Sequence, residues 1–239
     1  MKKNFISIAK NVIDLEIKGL MRLKKFISPS FNDAVRAIAN CQSKVILAGV
    51  GKRGLIASKL AATFSSVGSP SFHISASDCS HGDLGMISSG DVLILISHSG
   101  ESSELKNIIR YAKRNKNITL VGITSKKNSL LYKSSNIIFL LPVITEAGPG
   151  NYIPTSSTTT QICLGDALAI STIKQRKFSK LDFKKFHPSG SLGAKLKIVG
   201  ELMYKGNEIP FINENANIKT ALKVFNKKNS ALHKLFKIP

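Results

Sequence analysis

The sequence predicts an α/β protein built on a doubly wound parallel sheet with helices on both faces. Three observations carry that expectation. Short apolar runs recur at 44–48, 91–96, 119–124 and 136–141, the pattern of strands buried on both faces. Between them apolar residues recur at helical spacing, as in Leu105, Ile108, Ile109 and Ala112. Two of the strands run into glycine- or serine-rich turns that open a helix.

Taken in order, residues 5–26 place Ile6, Ala9, Ile13, Ile17, Leu20 and Leu23 on one face of a long amphipathic helix, which Pro29 ends. Phe31, Ala34, Val35 and Ile38 mark a second helix over 31–40. Core packing accounts for both; the long leading helix also suits subunit contacts. The strand at 44–48 is followed by Gly49-Val50-Gly51-Lys52-Arg53-Gly54 and a helix to about residue 67. This matches a dinucleotide fingerprint, G-x-G-x-x-G, between strand and helix. The second strand, 70–75, closes without the acid such a site uses; Asp78 comes later. The spacing before Lys52 also excludes a Walker A loop. What remains is a glycine turn presenting Lys52 at a helix N-terminus, where it can neutralise a phosphate or an oxyanion. A solvated surface lysine is the plain alternative. The loop at 76–90 is polar, and His81 with Asp83 supplies too few ligands for a metal.

The most informative stretch is the strand at 91–96 with Ser97-His98-Ser99-Gly100-Glu101-Ser102-Ser103 after it. The first turn of the following helix, expected over 102–115, leaves backbone N–H groups unpaired and carries the positive end of the helix dipole. Ser97, Ser99, Ser102 and Ser103 add hydroxyl donors, and Gly100 lets a ligand approach the backbone. Simple capping explains one serine; four together favour a phosphate site. A short helix starts near 129–131. The Lys52 turn and the serine loop both sit at carboxyl ends of strands, where such folds bind ligands. After the last strand, Glu146 lies in a loop and a hydroxyl run at 154–160 precedes a buried helix of about 164–176. Solvation is the ordinary fate of a loop carboxylate, and capping that of the hydroxyls. His187, fixed before Pro188 in a Gly/Ser turn, is suited to reach into a site, and histidine is the side-chain type that titrates nearest neutrality.

Composition bounds the function. The 239 residues allow one sizeable core with an appendage. Thirty-five Lys and Arg against 14 acids give a net charge of +21, but the lysines are scattered, with no basic run and no aromatic interleaving. That favours general attraction for anionic substrates over nucleic-acid binding. Cys41, Cys79 and Cys163 lie far apart and form no disulfide framework or metal pair. No apolar run approaches a membrane span, and residues 1–10 lack a leader's apolar region. The expectation is a cytoplasmic protein without metal, cofactor, membrane or nucleic-acid partner.

The run GVGKRG, HGDLGM, SHSGESSEL, EAGPGNYIPTSSTTT, GDALA and FHPSGSLGAKL, in that order over residues 40–200, resembles a sugar isomerase (SIS) domain. It is most similar to the D-arabinose 5-phosphate isomerases of lipopolysaccharide synthesis. The resemblance implies interconversion of D-arabinose 5-phosphate and D-ribulose 5-phosphate through an enediol, the first step toward the sugar Kdo. It also implies a homotetramer whose sites are completed by neighbouring subunits. The family's catalytic Lys falls on Lys52, its two catalytic Glu on Glu104 and Glu146, and its catalytic His on His187. Substrate contacts fall on Gly51, Gly68, Ser69, His81, Ser97, Ser99, Gly100, Ser102, Ser156 and Thr158. Enediol chemistry needs one carboxylate to take a proton from C2 and return it at C1, with a pKa tuned upward by burial. Glu146 is favoured over Glu104 for that role. Lys52 would stabilise the enediolate, and His187 would assist ring opening or move a hydroxyl proton. The alternative is a sugar-phosphate-binding regulatory module of the same fold without turnover.

Four departures stand out. Ser75-Ala76 replaces a His-Pro whose His binds inhibitory zinc in relatives, so no zinc site is expected. Arg53 stands where Ser is usual, with its charge beside Lys52. His98 replaces a common Asn, which is tolerated if the ring points outward. Residues 198–228 resemble the opening of a CBS domain that 239 residues are too few to close. The expected organisation is N-terminal helices at 1–40, an SIS domain at 41–197, and a truncated CBS-like tail at 198–239. That tail is expected to hold one helix and few strands, to pack loosely and to bind no nucleotide, so adenine-nucleotide regulation would be lost.

Overall fold

The computed structural model describes residues 4–187, 199–203, 205, 206, 209 and 211–227. It divides into two compact units, Met1–His187 and Pro188–Pro239. In the first unit the elements follow in the order α1 (Phe5–Phe26), α2 (Ser30–Asn40), β1 (Val45–Gly49), α3 (Lys52–Ser66) and β2 (Ser71–His73). Then come β3 (Val92–Ile96), α4 (Ser103–Arg114), β4 (Thr119–Thr124), α5 (Leu130–Ser134), β5 (Ile137–Leu140), α6 (Ser156–Gln175) and α7 (Lys180–Phe186). Two 3-10 turns, Asp78–His81 and Asp83–Met86, occupy the loop before β3.

Among the described residues, five strands pair in parallel in the order β2-β1-β3-β4-β5. Successive side chains of a strand point to opposite faces, so each central strand feeds two cores. Val45, Leu47, Val92, Ile94 and Ile96 pack against α2, α3 and α6, while Ile46, Ala48, Leu93 and Leu95 pack against α4 and the 3-10 segment. The helix after β1 therefore covers one face and the helix after β3 the other. The chain reverses direction across the sheet between β1 and β3, and in doubly wound folds ligands bind at that switch point, outside the carboxyl ends of the strands.

In the first unit two features differ from the sequence reading. The helix expected at 164–176 begins at Ser156, so the hydroxyl run forms its first turns rather than a cap ahead of it. Hydroxyl and β-branched residues are mediocre helix formers alone; here Ser157, Thr160, Gln161 and Leu164 are buried, and tertiary packing overrides propensity. Residues 180–186 form α7, entered through a capping box in which Ser179 and Asp182 satisfy each other's backbone N–H.

The amino end of the sheet is closed by polar staples. Arg176 donates to the carbonyls of Ile38, Ala39 and Gly68 and to Ser69 Oγ at 2.7–3.0 Å, joining α2, the α3–β2 turn and the end of α6. Asp91, fully buried, accepts from Lys44 Nζ and from the Ser88 N–H.

Helix α1 packs on α6, with Gly19 and Leu23 buried, and leaves Ile6, Ile13, Ile17 and Met21 exposed on its outer side. Among the described residues no helix is long and apolar enough to cross a membrane.

Among its described residues the second unit contains α8 (Val199–Leu202) and α9 (Ile218–Lys227), two helices where one was expected, and no strand. The motif after His187, residues 188–196, lies outside the described residues.

Candidate active site

The site is assembled from the turn after β1 and the loop after β3. In the first, Gly51 adopts φ +60°, and a Cβ there would meet nothing within 4 Å, so the space above the turn is open. Lys52 and Arg53 are the first residues of α3, whose first turn holds no acid. Two cations at the positive end of a helix dipole cost the helix stability; the same arrangement attracts an anion. Lys52 is exposed, whereas Arg53 is half-buried and its Nε has no hydrogen-bond partner. Burial lowers the Arg53 pKa, and the nearby Glu146 charge works in the opposite direction.

In the loop after β3, Ser97 is 2% exposed. Its Oγ accepts the Gly100 N–H at 3.0 Å and lies 3.0 Å from Ser102 Oγ. Ser99 Oγ accepts the Glu101 N–H at 3.2 Å. Ser102 is the N-cap residue of α4 but makes no side-chain cap, since its hydroxyl meets Ser97 instead. The hydroxyls thus pre-shape the loop around the first turn of α4, as a phosphate cradle requires. Gly100 is needed on two counts: φ is +64°, and a Cβ would stand 2.7 Å from Ser129 Cβ. Glu101, in the same motif, turns away and accepts the Leu130 N–H at the start of α5.

Glu146 is half-buried, and its Oε2 accepts the N–H groups of Thr155 and Ser157 at 2.9 and 3.1 Å and the Thr155 hydroxyl at 3.2 Å. The carboxylate therefore caps α6. Burial alone would raise its pKa, but the Ser157 and Thr155 groups outweigh burial and hold it below the usual glutamate value. Glu104, exposed on the first turn of α4, is held low by its own backbone N–H and by the Ser103 hydroxyl at 3.0 Å. The upward tuning expected for the base is thus absent at both carboxylates, because each meets N–H and O–H donors that favour the charged form.

His98 is accessible to solvent, but it does not simply point away. Protein crowding and the Arg53 charge lower its pKa while Glu146 opposes them, which places the ring in the same electrostatic cluster. His81 is exposed at the end of its 3-10 turn. Ser156 is buried at the first turn of α6, and Thr158 Oγ1 donates back to the Thr155 carbonyl at 2.7 Å.

Three expected site residues lie elsewhere in this chain. Gly68 and Ser69 sit at the amino end of the sheet, where Arg176 holds them. His187 follows α7, whose Phe186 packs at Gly68, and its ring stacks on Phe183 at 3.8 Å with Nδ1 2.9 Å from the Phe183 carbonyl. These residues are at the opposite end from Lys52, Ser97 and Glu146.

The sequence reading missed two residues. Thr155, which positions Glu146, was hidden in a run of hydroxyls. His73 closes β2, and its Nε2 is buried without a partner. The signal was present: the fingerprint reading looks for a ligand-directed side chain at the end of the second strand, and His73 is the polar side chain that ends it.

Comparison with known proteins follows the same lines. Residues 38–171 match the SIS domain family. The chain is 40% identical over 230 residues to the arabinose 5-phosphate isomerase KdsD of Yersinia pestis, covering 96% of this chain and 70% of that protein. It is 44% identical to the arabinose 5-phosphate isomerase KdsD of Francisella tularensis, covering 91% of this chain and 67% of that one. Among solved structures, an Escherichia coli CFT073 protein in complex with arabinose 5-phosphate superposes with a TM-score of 0.72 at 37% identity, covering 79% of this chain and 100% of that one.

Proposed function

The chain belongs to the arabinose 5-phosphate isomerases of the SIS-domain family, and from that premise we infer that it interconverts D-arabinose 5-phosphate and D-ribulose 5-phosphate. The observation that carries the reading is the meeting of a hydroxyl-shaped helix N-terminus, two cations and a hydrogen-bonded carboxylate at the switch point of the sheet.

The phosphate binds Ser97, Ser99 and Ser102 and the free N–H groups of the first turn of α4. Binding energy at this remote group then holds the carbon chain in place for reaction. The chain runs toward Lys52, whose ammonium stabilises the oxygen that becomes negative as the enediolate forms. A carboxylate removes the C2 proton of the aldose and delivers it to C1, while the hydroxyl proton moves from O2 to O1; nothing is gained or lost overall. Glu146 is our choice for that carboxylate, since one oxygen is held by three donors while the other remains for the substrate. Its lowered pKa keeps it ionised at neutral pH at some cost in basicity, which exclusion of water on substrate binding offsets.

His187 assists ring opening or hydroxyl proton movement from a neighbouring subunit of a homotetramer. Its place at the amino end of its own sheet, and the exposed apolar side of α1, support a shared site. The reaction opens Kdo synthesis and takes place in the cytoplasm.

The test is incubation with D-ribulose 5-phosphate in D₂O, followed by NMR. Formation of arabinose 5-phosphate with deuterium entering at the exchanging carbon is expected. Tight phosphopentose binding with no conversion would make the chain a regulatory binder instead.

A further inference from the structure

Two buried nitrogens without a hydrogen-bond partner flank the turn after β1: Arg53 Nε and His73 Nε2. Arg53 belongs to the cluster with His98 and Glu146 on the β3 side. His73 lies on the other side, as the last residue of the edge strand β2, paired with Leu47. A Cβ on Gly54 would lie 3.7 Å from His73 Nε2 and 3.0 Å from the Gly49 carbonyl, so glycine at 54 lets α3 start close to β1 and keeps a side chain from crowding the imidazole.

A cavity of about 370 Å³ opens there, lined by Gly49, Gly51, Gly54, His73, Ser75 and Ser77 among others. That volume lies within the range of small-molecule sites, roughly 300–1,000 Å³. Its lining contains glycine backbone, serine hydroxyls, small apolar groups and one imidazole, and no Lys, Arg, Asp or Glu. Such a wall offers hydroxyl and imidazole partners that suit the neutral hydroxyls of a sugar. Gly51, beside Lys52, borders this cavity, so the cavity abuts the turn that presents Lys52. Two strand spacings, about 10 Å, separate β2 from β3, a span that a five-carbon chain with a terminal phosphate covers.

We propose that this cavity receives the hydroxyl-bearing end of the sugar remote from the phosphate, and that His73 Nε2 hydrogen-bonds a sugar hydroxyl there as a specificity-determining residue. The proposal rests on the isomerase reading above and deepens it. Burial lowers the His73 pKa, so the ring is neutral and carries one N–H and one lone pair. Either can pair with a hydroxyl, which both donates and accepts.

Calorimetric binding of arabinose 5-phosphate and of inorganic phosphate, to the full chain and to His73→Phe, His73→Gln and Ser75→Phe, tests this. His73→Phe weakens arabinose 5-phosphate about tenfold, the size of one neutral hydrogen bond, and leaves inorganic phosphate affinity unchanged. His73→Gln restores most of the loss. Ser75→Phe, which fills the cavity and keeps the imidazole, also weakens the sugar phosphate and not phosphate. Unchanged sugar affinity in both Phe variants overturns the proposal. Equal loss of both ligands with a lowered melting temperature overturns it too, because His73 is then structural. Turnover is scored separately. His73-dependent binding without conversion refutes the isomerase reading and leaves the cavity assignment standing; conversion with His73-independent binding does the reverse.

Discussion

Glu146, the base in the proposed reaction, is also part of the fold. Its Oε2 takes the two N–H groups that open α6, a role usually given to a capping Ser, Thr or Asp. Glu146→Gln keeps the shape, loses the charge and turns an NH₂ toward N–H groups if it flips. We expect activity to fall by a factor of about 10²–10⁴, the usual contribution of a general base, and stability to fall by about 1 kcal/mol from the weakened cap. The sign of the pH effect follows from the lowered pKa. A carboxyl whose folded value lies below its unfolded one contributes stability at pH above the unfolded value, and this is lost as pH falls through the folded value. Acid unfolding of the Gln variant should therefore depend less steeply on pH than that of the wild type. The acid limb of kcat/KM for the wild type should lie below the ordinary glutamate value. An acid limb above it would mean that another group is the base.

At the level of elements, the two loops at the switch point depend on glycine for different reasons, and Gly100 is the more demanding. Gly100→Ala combines a left-handed backbone, costing about 1–2 kcal/mol for an L side chain, with contacts to Ser129 and Thr124 that cannot all relax. The serine loop should open, raising KM for the phosphopentose at least tenfold while far-ultraviolet circular dichroism stays native. A normal KM would show that the loop does not hold the phosphate. Arg176 does comparable work at the amino end. Arg176→Lys loses the fork that reaches three carbonyls and a hydroxyl at once. Arg176→Ala leaves those buried acceptors unpaired and should cost about 3 kcal/mol in urea unfolding. Neither the Gly100 contact nor the Arg176 staple was legible in the sequence, because both join residues far apart in the chain. The strands were legible, since burial on both faces writes itself as an unbroken apolar run, as did the helix after the serine loop. The start of α6 was not, because Ser156 to Thr160 read as a capping run ahead of the helix, and only packing shows Ser156, Ser157 and Thr160 buried within it. The pairing of Glu146 with Thr155 depends on that same hidden helix start.

The whole molecule raises the question of where His187 acts. Within one chain it stands at the amino end of the sheet, stacked on Phe183, while Lys52, Ser97 and Glu146 stand at the carboxyl end. A five-residue strand such as β1 spans about 16 Å, too far for one imidazole to cross by a rotamer change. If His187 takes part in catalysis, a second copy must present it. The outer stripe of α1, with Ile13 and Ile17 more than half exposed, is a surface such an assembly can cover. Complementation follows directly. Glu146→Gln and His187→Ala are each expected to be nearly inactive as pure proteins. Coexpressed in one cell and purified as mixed oligomers, they should regain a measurable fraction of wild-type turnover, because some sites then combine an intact Glu146 from one chain with an intact His187 from another. Ile13→Lys with Ile17→Lys should split the assembly in light scattering and abolish the rescue. Full activity of that double variant as a monomer would remove the need for a shared site, and His187 would then be a structural residue capping the end of α7.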